Sequence, residues 1–163
     1  MDGHGRRFPR RLRDRGHPIT AQFETIGDQG VNTTSENELF DTASRWCAVH
    51  EVDLPAGLQG VYIMEGDMIL LDRRLSDVER RCVLAHEISH ARHRDGGCQC
   101  DRWTERRANL EASAMLIRPM EYAMAESIYE GNVMGIAREL NVMPWVVQAY
   151  RERLHDDPCL IVQ

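Results

Sequence analysis

The sequence VLAHEISHARH, residues 83–93, holds three histidines and a glutamate within eleven residues. His86 and His90 are four positions apart, so on a helix both imidazoles lie on one face and can share a metal ion. Glu87 lies about 100° around the helix from His86, where its carboxylate can reach a water molecule beside that ion without binding the ion. Two neutral nitrogen ligands and one base are the elements of zinc-assisted hydrolysis. The motif therefore predicts a Zn²⁺ site with Glu87 as the catalytic base.

A catalytic zinc usually has three protein ligands, so a third ligand is expected downstream of His90. On a helix through residues 101–118, Glu105 lies on a face of small and apolar residues. A carboxylate that faces a packed interface needs a cation. We therefore predict Glu105 as the third ligand, with Asp101 as the runner-up, and we expect Glu111, about 120° away by helix geometry, to point to solvent.

Other groups near the motif leave alternatives open. His93 is expected to be a solvated histidine at the helix end, although a contact with substrate is also open. Cys98 and Cys100 could join His90 and His93 around a closed structural zinc, but Cys-x-Cys is a poorer metal clip than Cys-x-x-Cys. The five cysteines are odd in number and unevenly spaced, which favours free thiols in a reducing cytoplasm over a disulfide framework.

The helix that carries the motif has its own start and stop signals. Ser76 and Glu79 form a capping box at its start, and Gly96 with Gly97 is predicted to end it. Before it, two short apolar runs around a turn predict a β-hairpin. The runs are 61–64 and 68–71, and the other predicted helices cover 36–51, 101–118, 121–130, 133–140 and a last segment from Pro144.

The composition is that of a single soluble globular domain. The chain has 163 residues, of which 42% are hydrophobic and 28% charged, and this length leaves room for one core. No apolar run approaches the roughly 18 residues of a membrane helix, and no apolar segment typical of a secretory signal follows the first arginines. All 20 basic residues are arginine, which excludes lysine nucleophiles and Schiff bases. We expect a cytoplasmic protein without a membrane partner.

Charge divides the chain into an arm and a body. Residues 1–20 hold six arginines and two aspartates, whereas the whole chain carries a net charge of −6. We predict a disordered basic arm over 1–34, a catalytic domain with its C-terminal helices over 35–157 and a tail over 158–163. An acidic body is a poor binder of nucleic acid, so direct nucleic-acid binding is not expected.

Two stretches resemble the ImmA/IrrE family of zincin-like metallopeptidases, which occurs in mobile elements, phages and stress-response loci. They are RRCVLAHEISHARH (80–93) and ERRANLEASAMLI (105–117). The resemblance implies an α+β fold, mainly helical, with a small β-hairpin or sheet packed by the active-site helix. It also implies zinc on two histidines and a glutamate with a glutamate base, and these carry over to His86, His90, Glu105 and Glu87. Two departures are Arg118, where a proline often closes the glutamate helix, and the GGCQC loop.

The family resemblance implies a zinc endopeptidase that cleaves a regulatory protein, typically a helix-turn-helix repressor, and so regulates transcription. A competing interpretation is a catalytically silent, metal-stabilised module that regulates its partner by binding. A second is a DNA-binding regulator that uses the helix pair around residues 136–140 and 144–154, although that pair offers few groups suited to reading bases.

Overall fold

The computed structural model describes residues 34–96 and 101–156, which form six helices beside a three-stranded sheet. The α+β fold class is therefore confirmed. In chain order the elements are α1 (Glu36–Ala43), β1 (Ala48–Val52), β2 (Gly60–Ile63), β3 (Met68–Asp72), α2 (Asp77–His93), α3 (Arg102–Leu116), α4 (Pro119–Tyr129), α5 (Val133–Glu139) and α6 (Pro144–Asp156). Within these residues no helix is both long and apolar enough to cross a bilayer. The predicted arm and tail lie outside the described residues, apart from Thr34.

The predicted hairpin is confirmed. Strands β2 and β3 pair antiparallel, with Tyr62 opposite Ile69, and a single 3₁₀ turn at Met64–Gly66 joins them. The side chains of Ile69 and Leu71 are fully buried and belong to the same core as the apolar residues of α2. The hairpin therefore gives α2 an apolar sheet surface to pack on.

Strand β1 corrects the predicted first helix. The helix was expected to continue to residue 51, but α1 ends at Ala43 and Ala48–Val52 runs parallel to β3. Trp46, within the predicted helix, lies outside α1 and is 46% exposed. The apolar spacing fitted a helix because β1 is an edge strand with mixed burial, which gives no clean alternation of apolar and polar residues.

Helix α2 lies between the sheet and α3, so it is buried on most sides. The capping box is confirmed, because the Ser76 hydroxyl accepts from the Glu79 amide while the Glu79 carboxylate accepts from Ser76. The predicted stop at Gly96 is wrong: α2 ends at His93, and Arg94 adopts the left-handed conformation with φ 54°. For a residue with a side chain that conformation costs roughly 1–2 kcal/mol, and contacts described below hold the turn in place.

Helix α3 packs against α2 on one side and α6 on the other. It ends at Leu116 and not at residue 118, and α4 begins at Pro119, two residues before its predicted start. The start of α6 is tied to α2 because the Met143 amide donates to the Cys82 thiol at 3.3 Å. The helices therefore pack in the order α2, α3, α6, with α2 also against the sheet.

We expect Ser76→Ala to lower the free energy of unfolding by about 0.5–2 kcal/mol, since it removes the N-cap of the helix that carries the HExxH motif. Urea denaturation followed by circular dichroism measures the change. Ser127→Ala is the matched control, because Ser127 is exposed inside α4 and its hydroxyl bonds only to the Met124 carbonyl. Equal effects of the two substitutions would show that the cap does not stabilise α2.

Candidate metal centre

Helix α2 brings the two histidines of the motif to one point. The Nε2 atoms of His86 and His90 are 3.0 Å apart, and the two rings meet edge to face with 4.7 Å between centroids. The side chain of His90 is 4% exposed and that of His86 is 16% exposed. Two ring nitrogens this close in a nearly dry environment are suited to sharing one cation.

Helix α3 adds a carboxylate to the pair. Glu105 Oε2 lies 3.3 Å from His86 Nε2, and Glu105 Oε1 lies 3.5 Å from His90 Nε2. The Oε1 atom is buried and has no hydrogen-bond partner among the described residues, which is costly unless a cation is present. The three donors all lie within 4.8 Å of one another. The group is therefore compatible with a bound metal ion.

The other ring nitrogens of the two histidines are also held. Asn109 Oδ1 lies 3.1 Å from His86 Nδ1, and Asp95 Oδ2 lies 2.9 Å from His90 Nδ1. Each oxygen can accept a hydrogen bond from Nδ1–H, and in that tautomer the Nε2 lone pairs face the cluster. Burial and then the neighbouring His90 lower the pKa of His86 to about 4, so its ring is uncharged near neutral pH.

Glu87 lies on the sheet side of α2 and is 3% exposed. Burial raises the pKa of its carboxyl to about 8, with a smaller increase from Glu105, while a hydrogen bond from the Tyr62 backbone lowers it. Its Oε2 atom is buried and makes no hydrogen bond within the described part of the chain. Glu87 nevertheless lines a cavity of about 260 Å³ together with His86. The carboxylate thus opens onto the space beside the metal-binding group.

A glycine in β2 makes room for this carboxylate. A Cβ atom at Gly60 would lie 2.5 Å from Val83 Cγ1 and 3.1 Å from both Cγ and Oε1 of Glu87. Contacts under 3.0 Å do not occur without a shift of one partner. The close approach of β2 to α2 therefore depends on the missing side chain.

A second cavity of about 410 Å³ adjoins the first on the α3 and α6 side. Asn109 and Trp145 line both cavities, so the two form one depression that passes the metal-binding group. The Trp145 ring stands perpendicular to His86 with 6.0 Å between centroids. The other residues that line the second cavity are Arg102, Glu105, Arg106, Gln148, Ala149 and Glu152.

The expectation for Glu111 is wrong, whereas His93 lies exposed at the end of α2 as expected. Glu111 does not point to solvent: its Oε1 lies 2.8 Å from His93 Nε2, and its Oε2 accepts from the Ser89 hydroxyl at 2.9 Å. His93 is exposed but is bonded to Glu111 and not only to water. These contacts join α2 to α3 one turn beyond the metal-binding group. Helical phase alone missed them because it says nothing of the neighbouring helix.

The structure separates the two candidates for the third ligand. Asp101 caps α3, where its carboxylate accepts from the Trp103 amide at 3.1 Å, and it is exposed. Glu105, one turn later, faces the histidines. The alternative structural zinc needs Cys98 and Cys100, which lie outside the described residues.

Sequence reasoning missed three residues that contact the site. Asn109 follows Glu105 by four positions, so its place on the same helix face was a usable signal. Asp95 and Trp145 gave no such signal, because a left-handed turn places Asp95 and the contact between α3 and α6 brings Trp145 near the site.

The comparison with known families agrees with this geometry. The sequence model of the peptidase family described as the IrrE N-terminal-like domain matches residues 48–147. The chain belongs to this family. The matched segment runs from β1 into α6 and so contains all of the IrrE-like site described above. No curated protein and no solved structure matches the chain significantly. Membership of the IrrE-like peptidases suggests a metallopeptidase-like function and a protein substrate.

We expect Glu105→Ala to weaken Zn²⁺ binding by more than roughly 100-fold. Loss of a residue that only hydrogen-bonds to a ligand typically weakens metal binding by roughly 10–100-fold. The reason for the larger effect is that Glu105→Ala removes a donor from the group of His86, His90 and Glu105. Competition with a chelator of known affinity measures the loss. Asp101→Ala is the control and should keep wild-type affinity; loss of zinc in that variant alone would make Asp101 the ligand.

We expect Gly60→Ala to destabilise the fold by about 1–3 kcal/mol, as overpacking in a core does. Gly96→Ala is the control: its added Cβ would meet Met64 Cε at 2.5 Å, but the end of a methionine side chain can move aside. Chemical denaturation of both variants compares them. Equal destabilisation by Gly96→Ala and Gly60→Ala would show that the close packing of β2 against α2 does not require a glycine at position 60.

Proposed function

We propose that the protein is a zinc-dependent endopeptidase that cleaves a partner regulatory protein, a helix-turn-helix repressor. One observation carries the proposal: His86, His90 and Glu105 converge on one point, and the carboxylate of Glu87 opens onto the adjoining cavity. Family membership supports a peptidase, and the donor set of two imidazoles and one carboxylate is typical of catalytic zinc.

The residues of the site have distinct roles in this proposal. His86, His90 and Glu105 would hold Zn²⁺, which lowers the pKa of water and polarises a carbonyl group when bound. The two histidines are held in their metal-binding tautomers by the acceptors at their Nδ1 atoms. The Glu105 oxygen without a hydrogen bond gains a cation as its partner.

Glu87 is the proposed general base. Its carboxylate would take a proton from the attacking water and deliver it to the amine that leaves when the peptide bond breaks. Its backbone partner Tyr62 and the packing of Gly60 fix the carboxylate at the cavity wall. Since the Glu87 side chain is buried, few bulk water molecules can exchange protons with its carboxylate.

The sheet offers a place for an extended substrate segment. Strand β2 is an edge strand, because it pairs with β3 alone among the described strands. An extended peptide can add to such an edge as a further strand. Gly60 in β2 also lines the first cavity, so a peptide on this edge would pass beside Glu87.

The size of the site supports a narrow substrate range. The two cavities are open, and His86 lines the first while Glu105 lines the second. Such a surface recognises few side chains, so selectivity must come from a partner that presents one accessible segment. The family resemblance of the two motifs implies that this partner is a repressor.

The test is co-expression with a repressor encoded beside the gene, with cleavage followed by mass spectrometry. The wild-type protein should cleave the repressor and digest casein slowly or not at all. Glu87→Gln should abolish cleavage while zinc content stays unchanged, because the base is lost and the ligands remain. Glu121→Gln, at the start of α4 and away from the site, is the matched control and should retain activity.

Two results would contradict the proposal. Rapid, sequence-tolerant digestion of casein that Glu87→Gln abolishes would show a general protease. Release of repression by wild type and Glu87→Gln alike, without a cleaved product, would show a module that acts by binding.

A further inference from the structure

We propose that Asp95, held by Arg107, is a positioning residue that orients His90 and strengthens metal binding. The inference rests on the proposed zinc site and adds a residue pair outside the ligands and the base. It follows from a chain of contacts that runs from α3 through the end of α2 to the His90 ring.

The first contact is between Asp95 and His90. The Asp95 Oδ2 atom lies 2.9 Å from His90 Nδ1, on the opposite side of the ring from the cluster. Since His90 Nε2 must offer a lone pair to an ion, its ring proton must lie on Nδ1, and a carboxylate at that atom accepts a hydrogen bond from Nδ1–H. Asp95 thereby fixes both the tautomer of His90 and the plane of its ring.

The backbone places Asp95 for this contact. After α2 ends at His93, Arg94 turns into the left-handed conformation and the Asp95 amide donates to the His90 carbonyl at 3.0 Å. The Arg94 guanidinium pairs with Asp67 at 3.1 Å, which fastens the turn to the end of the hairpin. The hydrogen bond of the Asp95 amide and the ion pair of Arg94 stabilise this turn, which brings the Asp95 side chain to the ring of His90.

The second contact is between Arg107 and Asp95. Arg107 NH2 donates to the same Oδ2 atom that faces His90. Arg107 lies on α3 two residues after Glu105. The contacts therefore form a closed circuit between the two helices, which runs through Glu105, His90, Asp95 and Arg107. Helix α3 thus provides the donor Glu105 directly and orients the donor His90 through Arg107 and Asp95.

The support of the two histidines is unequal. His86 has the neutral amide of Asn109 at its Nδ1, whereas His90 has a carboxylate. A charged acceptor makes a stronger hydrogen bond than a neutral one and increases the electron density on the ring. Asp95 should therefore contribute to affinity through its charge as well as its position.

A merely structural role would give a different result. If Asp95 only fastened the turn after α2, its loss would resemble loss of the Arg94 partner Asp67. Asp67→Asn is thus the matched control: it weakens the same turn, leaves His90 untouched, and places an asparagine at a left-handed position that this residue tolerates.

The experiment measures Zn²⁺ affinity of the full chain by chelator competition for wild type, Asp95→Ala, Asp95→Asn, Arg107→Met and Asp67→Asn. Asp95→Ala should lose roughly 10–100-fold in affinity. Asp95→Asn and Arg107→Met should lose less, because an acceptor remains at Nδ1, and Asp67→Asn should match wild type. Absorption spectra of the Co²⁺ forms should change for the Asp95 variants alone.

Thermal unfolding of the metal-free proteins shows whether each variant folds. Wild-type affinity and an unchanged Co²⁺ spectrum in both Asp95 variants would overturn the inference, as would an equal loss in Asp67→Asn. If the wild-type protein itself binds no zinc, the proposed function fails and this inference fails with it. Tight zinc binding by wild type and the Asp95 variants alike would defeat the inference alone.

Discussion

The contact between α2 and α3 is the interaction on which the site depends. It buries a polar group where an apolar seam would be expected: His90 is almost fully buried, and Glu105 Oε1 lacks a hydrogen bond within the described residues. Burying such groups costs free energy unless a charge or a proton compensates. Without a cation the two helices are in contact across an unsatisfied carboxylate, so a bound metal ion would stabilise their packing.

The remaining elements hold these two helices in register. The sheet supports α2 from behind through Ile69 and Leu71. Helix α6 packs against α3, where Arg106 pairs with Glu152 and Asp156. Between α2 and α3, Glu111 binds Ser89 and His93 on one side of the metal-binding group. Residues of α2 and α3 therefore contact one another at successive turns of the two helices. A rotation of either helix would break several of these contacts at once.

The sequence predicted the parts of this arrangement that are local. The i, i+4 histidines, the capping box at Ser76 and the β-hairpin depend on neighbouring residues, and the structure has all of them. Glu105 could be placed because helical phase puts it on the packed face of α3. Asp95, Asn109 as a partner of His86, and the pairing of Glu111 depend on which helix lies opposite. Strand β1 was missed for a related reason, since a strand at the edge of a sheet is defined by its partner more than by its own pattern.

The thiol of Cys82 shows how the fold restricts the chemistry of the ion. Cys82 precedes His86 by one helical turn, and thiolates are strong zinc ligands. Burial raises the pKa of this thiol to about 11 although the Met143 amide bonds to its sulfur, and the thiol lies outside the group of donors that could share an ion. The only anionic donor in the group of three is then Glu105. One carboxylate would offset half the charge of a bound divalent ion, which would then keep the electron-withdrawing strength that a thiolate would reduce.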